Sequence, residues 1–321
     1  MADQTHSPMQ ASPGRIGLLD TARAAALLAM ATYHFSWDLE FFGYLDPGTA
    51  ETGWLRYYAR AIAFTFLFLA GFSLVLAHTP AIRWRAFGRR FATIVAAAMA
   101  ITLATYFAMP NGLIFFGILH CIALSSLFGL AFLRLPVLLT VALGAAAFAL
   151  PQYLRLAAFD APPLWWVGLS QVLPRSNDYV PMLPWFGAVL FGIASARFVS
   201  TQGYLPRLAA GPAAPPLVRW ASRHSLILYL AHQPVLLACV YLLSITVPPQ
   251  IPDPVAQYTR NCENACVTQG AAAEMCTRFC GCTVTQLQQR DLFEPLQSGA
   301  ISPGNDERVL QIARECTAES Q

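Results

Sequence analysis

His34 and Asp38 lie four residues apart, with Tyr33 beside them, in a run of helix-forming residues. Positions i and i+4 share one face of an α-helix, so the carboxylate is placed to orient the imidazole as a general base. An imidazole with an ordinary pKa of about 6.5 suits removal of a proton from a hydroxyl or amine, the step that acyl transfer to such an acceptor requires. A His and an Asp that merely face water at a membrane interface would show the same spacing. His120 and His232 also sit in apolar runs, and His232 is followed by Gln233 and by Pro234, whose ring kinks a helix. A lone histidine of this kind can simply tie one helix to another by a hydrogen bond. Three histidines in three apolar runs favour a shared polar cavity, since an ionisable group in hydrocarbon costs about 2.5–3.5 kcal/mol and is retained where it faces protein or water. Asp20 and Arg23, three apart, can neutralise each other on one helix face or take part in binding an anionic donor.

The elements that must position these groups are membrane spans. The chain is 56% apolar and only 12% charged, far from the balance of a soluble domain. A net charge of +3 is too small to point to nucleic acid, and every one of the 20 basic residues is arginine. Apolar runs of roughly twenty residues, enough to cross a hydrocarbon core as helix, stand near 18–37, 57–78, 91–109, 113–133, 136–151, 182–199 and 224–247. Asp20 and Arg23 interrupt the first run, which continues past the length of a cleaved signal, so it is expected to remain in the mature protein. With the N-terminus inside, the cytoplasmic side collects Arg15, Arg83, Arg85, Arg89, Arg90, Arg134, Arg197, Arg207, Arg219 and Arg223, as short basic loops require. The opposite side collects Asp38, Glu40, Asp46, Glu51, Asp160 and Asp178, and an odd number of spans places residues 248–321 outside the cytoplasm.

Composition changes after Pro248, Pro249, Pro252 and Pro254, a stiff linker over 248–258. The tail beyond it, 259–321, is polar and holds Cys262, Cys266, Cys276, Cys280, Cys282 and Cys316. A small segment with few large aliphatics needs staples, and disulfides form outside the cytoplasm, where the span count puts it. A helical hairpin turning at Gly270 sets Cys262 opposite Cys280 and Cys266 opposite Cys276, leaving Cys282 and Cys316; six cysteines admit many connectivities, and this one is a preference among them. Zinc is the competing reading, but the spacings match neither paired CxxC knuckles nor a Cys/His finger and the tail has no histidine, so no metal is expected.

Four stretches together resemble the bacterial branch of the heparan-α-glucosaminide N-acetyltransferase-like family. They are RIGLLDTAR from Arg15 with YHFSWDL from Tyr33, GILHCIA from Gly117, the segment from Asp178 through Trp185 to Gly192, and SLILYLAHQP from Ser225 to Pro234. Their order and spacing cover about residues 14–247. The resemblance implies a membrane acyltransferase, with acetyl-CoA as cytoplasmic co-substrate and transfer across the membrane to a sugar or envelope glycan. Lysosomal members place their catalytic histidine in the loop after the first helix. No histidine lies between His34 and His78 here, so those catalytic residues do not carry over.

The expected fold is all-α, a bundle of about seven spans with a cavity between the first, fourth, sixth and seventh and a helical-hairpin Cys-rich module. Residues 1–14 form a flexible N-terminus, 15–247 the acyltransferase-like domain, 248–258 the linker and 259–321 the extracytoplasmic tail. His34 is the candidate general base or transient acyl carrier and Asp38 its orienter. His120, Asp178, Trp185, His232 and Gln233 are candidates to position the acceptor, and Arg15, Asp20, Arg23, Arg89 and Arg90 to bind the donor. The expected partners are membrane lipid and the small-molecule or glycan acceptor, with no nucleic acid and self-association left open; the expected place is a bacterial inner membrane. A transporter or channel using the same histidines, or an anchor presenting the stapled module, are the rival readings.

Overall fold

The computed structural model describes residues 16–109, 112–172, 174–249 and 253–320. The N-terminal segment 1–14, Arg15 and Pro252 of the linker lie outside the described residues. Regular structure among those described is helical throughout, with no strand. The chain divides into two compact units, Met1–Val247 and Pro248–Gln321.

In the first unit a helix stands at each of the seven apolar runs. These are α1 (Gly17–Phe41), α2 (Gly53–His78), α3 (Trp84–Ala108), α4 (Ile118–Gly129), α5 (Val137–Tyr153), α6 (Met182–Thr201) and α9 (Ser225–Thr246). Two short helices, α7 (Leu205–Ala209) and α8 (Pro216–Arg223), occupy the loop between α6 and α9. Four helices, α2, α3, α6 and α9, are long and apolar enough to cross a membrane. Helix α1 has the length but carries Asp20, Arg23, Asp38 and Glu40, while α4 and α5 are apolar but have only 12 and 17 residues. Helix α4 is extended by a tighter turn over Leu130–Phe132.

Glycine sets how closely these helices approach. A Cβ on Gly71 of α2 would stand 2.1 Å from the Val189 carbonyl oxygen of α6, and one on Gly192 of α6 would stand 2.1 Å from that of Phe68. The two backbones therefore meet directly, the packing open to helices that gain nothing from a hydrophobic effect between them. Leu67, Val189, Leu190, Ile193 and Cys121 fill the core around this contact. Outward, Leu103 and Phe107 of α3, Leu138 of α5 and Leu242 and Ile245 of α9 are exposed, and α9 buries only Val240. Large apolar side chains on the outside of a helical bundle face lipid.

The second unit is built on other terms. Its helices are α10 (Pro254–Thr268), α11 (Ala273–Gln289), α12 (Phe293–Gln297) and α13 (Glu307–Ser320). The expected linker ends early, because Asp253 caps the Val255 amide at 3.0 Å and Pro254, with its φ already helical, takes the first position of α10. Gly270, at φ 93°, turns the chain from α10 into α11. Three disulfides, Cys262–Cys280, Cys266–Cys276 and Cys282–Cys316, join α10 to α11 and α11 to α13, the pairing preferred from the hairpin spacing. Leu287, Leu292, Val309 and Ile312 supply a small core, to which each bridge typically adds about 2–4 kcal/mol.

Candidate active site

Two cavities open inside the first unit. One, of about 900 Å³, is lined by Tyr33 and His34 of α1, Arg56 and Arg60 of α2, Asp178 in the loop before α6, and Trp185 on the first turn of α6. The other, of about 540 Å³, is lined by Arg23 of α1, Ser73 of α2, Arg89, Arg90 and Thr93 of α3, and Ser225 of α9. Phe66, Ile118 and Tyr229 line both, so these three side chains are the partition between a histidine cavity and an arginine cavity. On α2, Arg60 and Ser73 are thirteen residues apart, about 20 Å along the axis, which sets the two polar regions toward opposite ends of the bundle.

Around His34 the geometry differs from a simple His–Asp dyad. Its ring stands 4.9 Å, centroid to centroid, from that of His232 and 5.5 Å from that of Tyr33. Asp38 is fully buried, and its Oδ1 accepts a 2.6 Å hydrogen bond from Gln233 Nε2 instead of from His34. Four residues of helix put His34 and Asp38 on one face, but the neighbouring α9 captures the carboxylate. His232 Nδ1 bonds the Tyr229 carbonyl. A carbonyl oxygen only accepts, so Nδ1 carries the proton and Nε2 of the neutral ring presents a lone pair. That Nε2 is buried without a partner, as are Asp38 Oδ2 and Gln233 Oε1. Buried polar atoms are nearly always satisfied, so three bare acceptors on α1 and α9 make this region a candidate for binding or chemistry.

His120 is placed otherwise. It is the third residue of α4, and its Nδ1 accepts from the Gly117 amide at 3.2 Å, as a glutamate does in a capping box. Its Nε2 lies 3.2 Å from Thr102 Oγ1, whose own proton goes to the Ile114 carbonyl at 2.7 Å. Both ring nitrogens are committed, and His120 lines neither cavity. Asp178 completes the same helix end by accepting from the Ile118 amide at 3.0 Å, where the partial positive charge of the helix favours an anion. A Cβ on Gly117 would stand 2.4 Å from Asp178 Oδ2, so only glycine lets the carboxylate reach the amide. Asp178 is partly open to the cavity but enclosed by protein on its other sides. Burial pushes its carboxyl up to about 6, with the Ile118 hydrogen bond acting against the rise.

Of the expected donor-site residues, Arg23, Arg89 and Arg90 line the arginine cavity. Asp20 does not, being buried with Oδ1 2.7 Å from the Ser222 hydroxyl of α8 and 3.8 Å from Arg23, which also bonds Ser73. It cross-links helices and holds Arg23 in place. Sequence reasoning missed the contribution of α2. Its Arg56 and Arg60 are spaced i, i+4, and Phe66 follows six residues later, a signal hidden because an apolar helix looks alike on every face. It also passed over Tyr229, which is one turn before His232 and therefore on the same face. Among the described residues no three His, Cys, Asp or Glu side chains gather to hold a metal.

Apolar helices around two cavities that share three lining residues, one cavity carrying arginines and the other His34, fit a helical integral membrane protein. Residues 15–234, well over half of the chain, match the family described as heparan-alpha-glucosaminide N-acetyltransferase, catalytic. The chain belongs to that family, as its four sequence stretches indicated, and so to the membrane acyltransferases. No curated protein and no solved structure matches it.

Proposed function

We propose that this protein moves an acetyl group from acetyl-CoA, bound in the arginine cavity, to a sugar or related envelope acceptor in the histidine cavity. The observation that carries the reading is the shared partition of Phe66, Ile118 and Tyr229, through which a thioester on one side can meet an acceptor on the other. Arg23, Arg89 and Arg90 offer guanidinium forks to the phosphates of the donor. The acceptor nitrogen or oxygen attacks the thioester carbonyl, its proton passes to His34, the carbon–sulfur bond breaks, and the thiolate leaves and regains a proton. His232, behind His34 with a bare Nε2, supports the charge that His34 acquires. Asp38 and Gln233 hold α1 against α9 so that the two rings face each other. Trp185 supplies a flat apolar wall of the kind that sugar rings stack on. Asp178 shapes the chamber through the start of α4.

In this reading the helices at all seven apolar runs span an inner membrane, the short α4 and α5 included, with α1 tolerated because Asp20 and Arg23 are paired and Asp38 is bonded. The N-terminus and the arginine cavity face the cytoplasm, and the stapled tail lies outside, where its bridges persist. The test is transfer from labelled acetyl-CoA to glucosamine acceptors by the purified protein in vesicles. Labelled product in the wild type and its absence in Arg89→Gln/Arg90→Gln, with folding intact, is the expected result. Undiminished transfer by that double variant, or no transfer by the wild type to any amino sugar, rejects the assignment.

A further inference from the structure

A third cavity, of about 500 Å³, lies between the end of α2, the tight turn after α4 and the last turns of α6. It shares no lining residue with the histidine or arginine cavity. Its charged and aromatic-nitrogen groups are His78, Arg134 and Arg197, and no Asp or Glu lines it. His78 is buried, and its Nδ1 accepts from the Arg83 amide at 3.2 Å. A backbone amide only donates, so the neutral ring must carry its proton on Nε2 and is a donor there. Arg197 Nη1 is buried and has no hydrogen-bond partner. Apart from the hydroxyls of Thr79, Ser200 and Thr201, which can donate or accept, the polar side chains of the lining are donors, one of them a buried guanidinium nitrogen left unsatisfied, and a group of this kind calls for an acceptor from outside the chain.

Two arginines with a ring N–H and no carboxylate select an oxyanion, and the planar guanidinium matches the oxygen spacing of phosphate. The C-terminal ends of α2 and α6 direct roughly half a negative charge each toward the same region, which two full positive charges outweigh. Val75, Ile82, Leu130 and Leu133 give the rest of the wall an apolar stretch that continues the site as a surface for a hydrocarbon chain. Basic pockets between membrane helices on the cytoplasmic side are where anionic headgroups bind. We propose that this cavity binds a phosphate group, carried either by an anionic membrane lipid or by a soluble phosphate, separately from the acyl-transfer machinery.

The experiment uses full-length delipidated protein in detergent. Phosphatidylglycerol, phosphatidylcholine or inorganic phosphate is titrated in turn, with binding followed by native mass spectrometry and thermal unfolding. Wild type is expected to bind phosphatidylglycerol or phosphate and to unfold at higher temperature. Affinity is expected to fall by about ten-fold or more in Arg134→Gln and Arg197→Gln, and to stay unchanged in Arg207→Gln, an exposed arginine that lines none of the three cavities. Stabilisation by phosphatidylglycerol alone assigns a lipid, and stabilisation by phosphate alone a soluble ligand. Phosphatidylcholine binding as well as phosphatidylglycerol, no response to either phosphate source, or unchanged affinity in both arginine variants overturns the proposal. Should Arg197→Gln fail to fold, Arg134→Gln decides by itself, because that side chain is exposed and on a turn.

Discussion

His120 and the pair His34–His232 are all embedded histidines, yet their surroundings could hardly differ more. At the start of α4 both nitrogens of His120 are occupied, one by an amide and one by a threonine. Between α1 and α9, His232 has one nitrogen tied to a carbonyl and one bare, and Asp38 and Gln233 each keep an unpartnered oxygen. Burial alone does not separate a structural histidine from a chemical one. What separates them is whether a lone pair is left over.

The contrast can be broken most decisively at His34, which lines the histidine cavity and is the general base of the proposed reaction. His34→Ala is expected to lower transfer from labelled acetyl-CoA by about 10² to 10⁴, as loss of a general base does, while binding of CoA in detergent is retained. Turnover within a few-fold of wild type would place the chemistry elsewhere.

His232 sharpens the comparison because it lines neither cavity and, in the proposed reaction, acts through the neighbouring His34 ring. His232→Ala is expected to cost about 10- to 100-fold in turnover, the range seen when an outer partner of a reacting group is removed. His232→Asn restores a donor for the Tyr229 carbonyl but no ring lone pair, and is expected to be as slow as the alanine variant. Rescue by asparagine would reduce His232 to a hydrogen-bond donor within its own helix.

His120→Ala should show the opposite pattern. Losing the partner of the Gly117 amide is expected to destabilise the protein by about 1–3 kcal/mol, read as a lower unfolding temperature, with turnover per folded molecule kept. A slow but fully stable variant would erase the distinction drawn here.

The smallest effect concerns Asp178, whose carboxyl is pushed up to about 6 by burial from an ordinary 3.8. A folded-state pKa above the unfolded value means the native protein binds the proton more tightly, so the associated stability is complete below about 4 and is lost as pH rises through about 6. Asp178→Asn is expected to flatten thermal stability between those limits. A wild-type stability that rises over the same window would contradict the burial argument.

The helices themselves were legible to within about seven residues at their ends, since long runs of apolar residues stand out in a sequence. The seven runs coincide with α1 to α6 and α9, although only four of those helices meet a strict standard of length and apolarity. The tail's pairing is the one preferred from the sequence, because cysteines four apart on each arm of a helical hairpin face each other across the turn. The end of the linker was missed by a few residues, since a proline reads as a stop unless its capping aspartate is noticed.

The polar residues of the apolar runs were legible, and their wiring was not. Sequence alone established which polar residues the apolar runs carry, because each is an exception in its neighbourhood and exceptions are visible in one dimension. It also determined which of them share a helix face, since the 3.6-residue period fixes that locally. Tertiary structure decided the partners. Asp38 went to Gln233, His120 to the start of its own helix and Asp20 to Ser222, while α2 became a wall of both cavities. A helix with several apolar faces can rotate against its neighbours with little change in hydrophobic free energy. Only the close backbone contact at Gly71 and Gly192 and the few buried hydrogen bonds select one rotation, and those depend on residues far apart in the chain.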